Sequence, residues 1–237
     1  MAVDGVKALV FDVFGTVVDW RSSVIRDGED LSRRRGVQVD WPRFAEQWRR
    51  EGYHGTIGSI RRGEAPWDTV DVIMRRHLKK LLPAYGVTGL DEDDLDWLTR
   101  AWHRLDGWPD SVEGLTRLKR RFVIATLSNG HVALLVNMAK YAGLPWDCIL
   151  GAELVQKYKP DPATYQSAYR FLGLRPEEVM MTAAHTNDLK AAREQGLRTA
   201  FVHRPKEWGP DGPREDPDPT FDVIADDLVD LAEKLGV

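Results

Sequence analysis

Two rhythms of apolar and polar residues divide this chain. The stretch "VKALVFD", from Val6 to Asp12, is a short continuous apolar run, as expected of a strand buried on both faces of a parallel sheet. From about Ser22 to Leu105 the period becomes helical. Trp41, Phe44, Ala45 and Trp48 fall on one face, as do Trp67, Val70, Ile73, His77 and Leu81. Leu95, Leu98, Trp102 and Leu105 repeat the pattern behind the acidic start "DEDD". No strand pattern interrupts this stretch.

After "GWPDS" strands and helices alternate. "FVIATLSN", "CILGA", "VMMTAA" and "TAFVH" read as strands. Between them lie "HVALLVNMAKYAG", closed by Gly143, then "DPATYQSAYRFLG" with Asp161 as N-cap and Pro162 in its first turn, then "NDLKAAREQG", ending at Gly196. A proline-rich loop, "RPKEWGPDGPREDPDPT", precedes a last strand and helix in "DVIADDLVDLAEKLG". The pattern predicts an α/β fold: a Rossmann-like parallel sheet core, residues 1–17 and 108–237, with an all-helical cap, residues 18–107, inserted after the first strand. Ligands of such sheets bind beyond the carboxyl ends of the strands. Asp12, Ser128, Asn129 and residues 183–188 all lie there, with the cap expected above them.

Composition narrows the partners. The 237 residues are 43% hydrophobic and 30% charged, with a formal net charge of -4, which gives no reason to expect nucleic acid or an anionic membrane. The basic clusters "SRRRG" and "RRHLKKLL" read as solvated helix faces. One cysteine, Cys148, excludes an internal disulfide and fits a reducing compartment; with no signal-like or membrane-spanning run, the cytoplasm is expected. His54, His77, His103, His131 and His203 show no metal-ligand spacing and read as structural or surface residues.

Four motifs carry the chemistry: "LVFDVFGT", "IATLSNG", "VQKYKPDPATY" and "MTAAHTNDLKAA". In that order, with a helical insertion after the first, they resemble the haloacid dehalogenase superfamily over nearly the whole chain. In that family's phosphatases a second aspartate two residues after the nucleophile protonates the leaving group, and a GDxxxD pair helps hold magnesium. Here Phe14 stands at the first place, and Ala183 and Ala184 stand where the glycine and first acid would be. A hard cation needs oxygen ligands, so metal-assisted phosphoryl transfer is disfavoured. A departing halide needs no general acid, and "FDxFGT" resembles the L-2-haloacid dehalogenase branch.

That resemblance implies residue roles. Asp12 is the nucleophile, Thr16 bonds it, Lys159 keeps it ionised, and Asp188 orders the lysine and water. Arg49 and Asn129 hold the halide, Ser128 the substrate carboxylate, and Tyr165 matches a tyrosine of the branch. Phe14 walls the pocket; Trp67 joins it from composition alone. The branch often places its hydrolytic water with serine and asparagine, but Ala183 and His185 stand there, so His185 is expected to assist hydrolysis with Asn187 and Asp188. The implied reaction turns short L-2-haloacids into D-2-hydroxyacids through an ester on Asp12, with no metal or cofactor, in a homodimer.

Plainer readings stay open: Arg49 as one of several arginines on a solvated helix face, Ser128 as a helix cap, His185 and Tyr165 as structural residues. A phosphate-ester hydrolase is the alternative activity, and an idle binding module a further one.

Overall fold

A computed structural model describes residues 4–237. The strands β1 (Ala8–Phe11), β4 (Val123–Ser128), β5 (Cys148–Gly151), β6 (Val179–Ala183), β7 (Arg198–Val202) and β8 (Val223–Ala225) form one parallel sheet in the order β5-β4-β1-β6-β7-β8. This is the expected α/β sheet. Its first strand lies inside, flanked by β4 and β6. Alternate residues of β1 face two separate cores: Leu9 and Phe11 join one, Ala8 and Val10 the other. Both faces are therefore covered, which is why the run is apolar throughout.

Register decides where chemistry collects. Phe11 pairs with Thr126 of β4 and Thr182 of β6, so the chain leaves all three strands at nearly the same level. Asp12, Ser128 and Ala184 emerge together at the sheet's carboxyl edge. The chain steps from β1 outward through β4 and β5, then returns to β6 on the other side. Such a reversal of direction opens a crevice in an open sheet.

The helices between these strands are α6 (Ser111–Leu118), α7 (Val132–Ala142), α8 (Pro162–Leu172), α9 (Thr186–Glu194) and α10 (Leu228–Lys234). Asp161 caps α8 through the N–H of Ala163 at 2.9 Å, and Gly143 ends α7 in the left-handed conformation.

The helical stretch contains α1 (Trp20–Arg35), α2 (Trp41–Gln47), α3 (Thr56–Arg61), α4 (Val70–Ala84) and α5 (Glu92–Thr99). Three details differ from the sequence expectation. A minimal antiparallel ribbon, β2 (Val18–Asp19) with β3 (Asp106–Gly107), joins the two ends of the stretch. Helix α4 begins only at Val70, so Trp67 lies in the preceding loop, just after Pro66, instead of on the helix face. Between α2 and α3, Trp48–Gly55 winds as a π-helix, whose wider turn interrupts the regular 3.6-residue period. The aromatic residues Trp20, Trp41, Phe44, Trp48 and Trp102 pack continuously with the Leu9 and Phe11 side of the sheet. Among the described residues no helix is long and apolar enough to cross a membrane.

Candidate active site

Asp12 leaves β1 at the sheet edge, where Thr16, four residues on, folds back over it. The Thr16 hydroxyl donates to Asp12 Oδ2 at 2.9 Å and accepts the N–H of Ala184 at 3.0 Å. One threonine thus ties the first strand's exit to that of β6. Lys159, from the loop before α8, is 8% exposed; its Nζ donates to Asp12 Oδ1 at 3.2 Å and to Asp188 Oδ2 at 2.6 Å. The Tyr165 hydroxyl donates to the other oxygen of Asp188 at 2.6 Å. Asn129 accepts the backbone N–H of Lys159 at 2.7 Å, which fixes the root of the lysine.

The charges follow from these contacts. Burial works against ionisation of Asp12, yet the Lys159 ammonium and the hydrogen bonds from His185 and Thr16 outweigh it, holding the carboxyl well below its ordinary range. Burial likewise opposes the charge on Lys159, and the carboxylates of Asp188 and Asp12 raise its pKa nonetheless. Burial and the neighbouring Asp12 charge push Asp188 upward, although Lys159 pulls against them. The result is an anionic Asp12 whose position is fixed by hydrogen bonds to both carboxylate oxygens.

His185 sits between two acids. Its Nδ1 is 3.2 Å from Asp12 Oδ2 and its Nε2 is 3.0 Å from Glu207 Oε2. Burial disfavours the imidazolium, but the two carboxylates raise the pKa well above the ordinary value. Glu207 comes from the proline-rich loop and also accepts the Trp20 indole N–H at 3.2 Å. Its seat depends on Gly15. At φ +89 that residue turns the chain, and a Cβ there would lie 2.1 Å from Glu207 Oε1. Any side chain at position 15 would collide with the carboxylate.

Opposite this polar group stands an aromatic wall. Arg49, 3% exposed, projects from the π-helical segment. Its guanidinium carbon lies 4.6 Å from the Tyr53 ring centroid, 5.0 Å from Trp20, 5.4 Å from Phe14 and 5.9 Å from Trp102. Cation–π attraction of about 2 kcal/mol or more at desolvated sites offsets part of the cost of burying it. Its Nε and Nη1 are buried and meet no protein acceptor. A cavity of about 380 Å³ joins the two sides, with Asp12, Phe14, Arg49, Asn129, Lys159 and His185 in its lining.

A family model for haloacid dehalogenase-like hydrolases matches residues 6–196. The chain belongs to that family. Among haloacid dehalogenase-like relatives, an (S)-2-haloacid dehalogenase of Burkholderia cepacia is 30% identical over 206 residues, covering 85% of each chain. The crystal structure of a defluorinating L-2-haloacid dehalogenase superposes with a TM-score of 0.94 at 44% identity, covering 98% of this chain and 96% of that one. A second L-2-haloacid dehalogenase structure gives 0.92, also at 44%, covering 98% of this chain and 100% of that one.

Phosphate-transferring members of this family use a divalent cation beside the nucleophile, and the residues here do not fit one. The Lys159 ammonium lies within 3.2 Å of both Asp12 and Asp188, the two acids that would flank such a cation. Ala183 and Ala184 add no side-chain oxygen.

Of the residues singled out in the sequence, Asp12, Phe14, Arg49, Asn129, Lys159, Tyr165, His185, Asn187 and Asp188 all line the one cavity, and Thr16 bonds Asp12 directly. Two others do not. Ser128 is fully buried and its hydroxyl accepts the N–H of Gly130 at 3.1 Å, a local turn contact. Trp67 stacks on Tyr158 at 6.1 Å and lines a neighbouring pocket with Ile60, Arg61 and Pro160, outside the cavity of Asp12. The loop position of Trp67 explains this: its ring follows the 156–162 segment.

The sequence reading missed Glu207, Trp208, Tyr53 and His54, which also line the cavity. His54, read there as structural or surface, is held down to about 4 by desolvation and by the charges of Arg49 and His185. The signal for Glu207 and Trp208 was present: a long structureless loop inside a compact domain is usually functional, and "KEWG" places an acid beside an indole within one.

Proposed function

We propose that this protein is a hydrolytic L-2-haloacid dehalogenase that works through an ester on Asp12, with residues 18–107 closing over the core as a cap. One observation carries the reading. A buried, fixed carboxylate and a buried guanidinium line the same cavity together with Phe14, and two donors of that guanidinium have no hydrogen-bond partner among the described residues. The first suits a nucleophile, the second an anionic leaving group, and Phe14 supplies no proton, as a halide requires none.

Asp12 attacks C2 of the substrate and the carbon–halogen bond breaks, with the electron pair leaving on the halide. Arg49 receives that charge as it develops; donors so placed are worth roughly 3–4 kcal/mol of barrier in other enzymes. The carbon is inverted and an ester links it to Asp12. Lys159 and Thr16 hold the carboxylate in line throughout.

Esterification then changes His185. The alkylated Asp12 is neutral, so one of the two anions retaining the imidazolium proton is gone. The ring's pKa falls and its proton departs to solvent. Neutral His185, oriented by Glu207, accepts a proton from water as that water attacks the ester carbonyl of Asp12. The C–O bond to the acyl carbon breaks, the departing alkoxide takes the second proton of the attacking water, a D-2-hydroxyacid leaves, and Asp12 is regenerated as the carboxylate beside a protonated His185. A cytoplasmic location, favoured by the lone Cys148, and a homodimer belong to the same reading.

One turnover with L-2-chloropropionate in heavy-oxygen water, followed by peptide mass analysis, tests the route. The label is expected in the peptide bearing Asp12. Label in the product alone would mean direct attack of water on substrate. Phosphate release from p-nitrophenyl phosphate with magnesium, in the absence of halide release, would favour the phosphatase alternative.

A further inference from the structure

A second cluster of chemistry-bearing side chains lies apart from the cavity of Asp12; none of its members lines that cavity. Asp71 stands in the first turn of α4, His103 ends the 3₁₀ turn Arg100–His103, and His131 is the N-cap residue of α7. These three bring ligand atoms within 4.8 Å of one another. Sequence spacing could not show this, because the residues come from three separate elements.

We propose that Asp71, His103 and His131 form a binding site for one divalent transition-metal ion, zinc by preference, which fastens the inserted helices to the sheet-bearing part of the molecule.

The donor set is two imidazoles and a carboxylate, a combination that suits zinc when a fourth position is left for water. His103 Nε2 is 2.9 Å from Asp71 Oδ1, and His131 Nε2 is 3.4 Å from Asp71 Oδ2. Atoms bound tetrahedrally to zinc at 2.0–2.2 Å lie about 3.4 Å apart, close to the two separations from Asp71, and the whole set lies within 4.8 Å. Both histidines are buried.

Two further observations point to a ligand. His131 occupies an N-cap position but makes no side-chain cap bond, and its Nδ1 is buried without a partner. Its ring therefore has no local capping role. His103 Nδ1 is 3.0 Å from the Asn137 side-chain amide. The facing atom is the amide nitrogen, which donates to Nδ1; with the amide turned over, its oxygen would accept an Nδ1 proton and leave the Nε2 lone pair for the metal. Asp71 also lines a surface cleft, which gives the ion a way in. The nearest arginines of that rim are already paired, Arg75 with Glu92 and Asp96 and Arg76 with Asp68.

The test uses the full chain, stripped with a chelator and dialysed against zinc, with metal counted by mass spectrometry and melting followed by calorimetry. Expected are one zinc per chain, a rise in Tm of several degrees, and visible absorption bands of a four-coordinate ion when cobalt replaces zinc. His103→Ala with His131→Ala should lose all three. If that pair unfolds, Asp71→Asn and Asn137→Ala keep the shape of the site; Asn137→Ala should weaken zinc by about 10–100-fold. No zinc on the unaltered chain overturns the proposal. Equal zinc on the double variant does so too, since it assigns the metal to other histidines. Zinc that binds here without moving Tm overturns the fastening role.

Discussion

The two sides of the cavity handle buried charge in opposite ways. On the sheet side, Asp12, Lys159, Asp188 and Tyr165 form a closed network in which each charge has a partner. On the side of the inserted helices, Arg49 is surrounded by rings, and among the described residues two of its donors meet no hydrogen-bond acceptor. The first arrangement holds a reagent still before the substrate arrives. On the proposed route, the second is completed only when halide charge appears.

Removing the cation from each side should break the contrast in opposite senses. Lys159→Met leaves Asp12 and Asp188 as buried carboxylates without their shared counter-charge. Losing one partner of a buried ion pair costs about 3–5 kcal/mol, and dehalogenation should fall by about 10³-fold or more as Asp12 takes up a proton. Chemical denaturation and steady-state kinetics measure both. Arg49→Met should lower kcat/KM by about 10²–10³-fold while leaving the melting temperature unchanged or raised, because a costly buried charge has been replaced by a thioether. A large loss of stability in Arg49→Met would remove the distinction between the two sides.

The pH dependence sharpens it further. The folded-state pKa of Asp12 is depressed, so its contribution to stability is complete above about pH 4 and is lost as pH falls through the folded value. For His185 it is raised, so its contribution is complete below about pH 6.5 and is lost as pH rises through the folded value. Glu207→Gln takes away one of the two anions behind that shift. The alkaline loss of stability should begin at lower pH, and ester should accumulate on Asp12 because hydrolysis slows by about 10²-fold. An unchanged alkaline limb would show that Glu207 does not govern the ring. The smallest effect is expected at Trp67→Phe, which should alter kcat/KM by less than about twofold, since the ring lines another pocket.

How much of this was legible in the sequence depended on distance along the chain. Asp12 and Thr16 are four residues apart, and their contact follows from one local turn. The alternation of strands and helices predicts the sheet and puts Asp188 beyond a strand end, while Lys159 was legible only through the resemblance of the "YKP" segment to a family motif. Trp67 was put on a helix because the helical period was started three residues before Val70, and it was put in the pocket from composition alone. Glu207 was missed because it reaches His185 from an irregular loop, where no period constrains a side chain. Ser128 could be placed at the correct strand end, but its hydroxyl direction depends on the turn at Gly130, which the strand pattern does not encode.

Arg49 in its ring of aromatics also has a kinetic meaning. If the halide departs onto a guanidinium that makes no ion pair among the described residues, the ion made in the first half of the proposed cycle should also inhibit the next. The hydroxyacid should therefore depart ahead of the halide, and turnover at high substrate should be paced by emptying the anion seat.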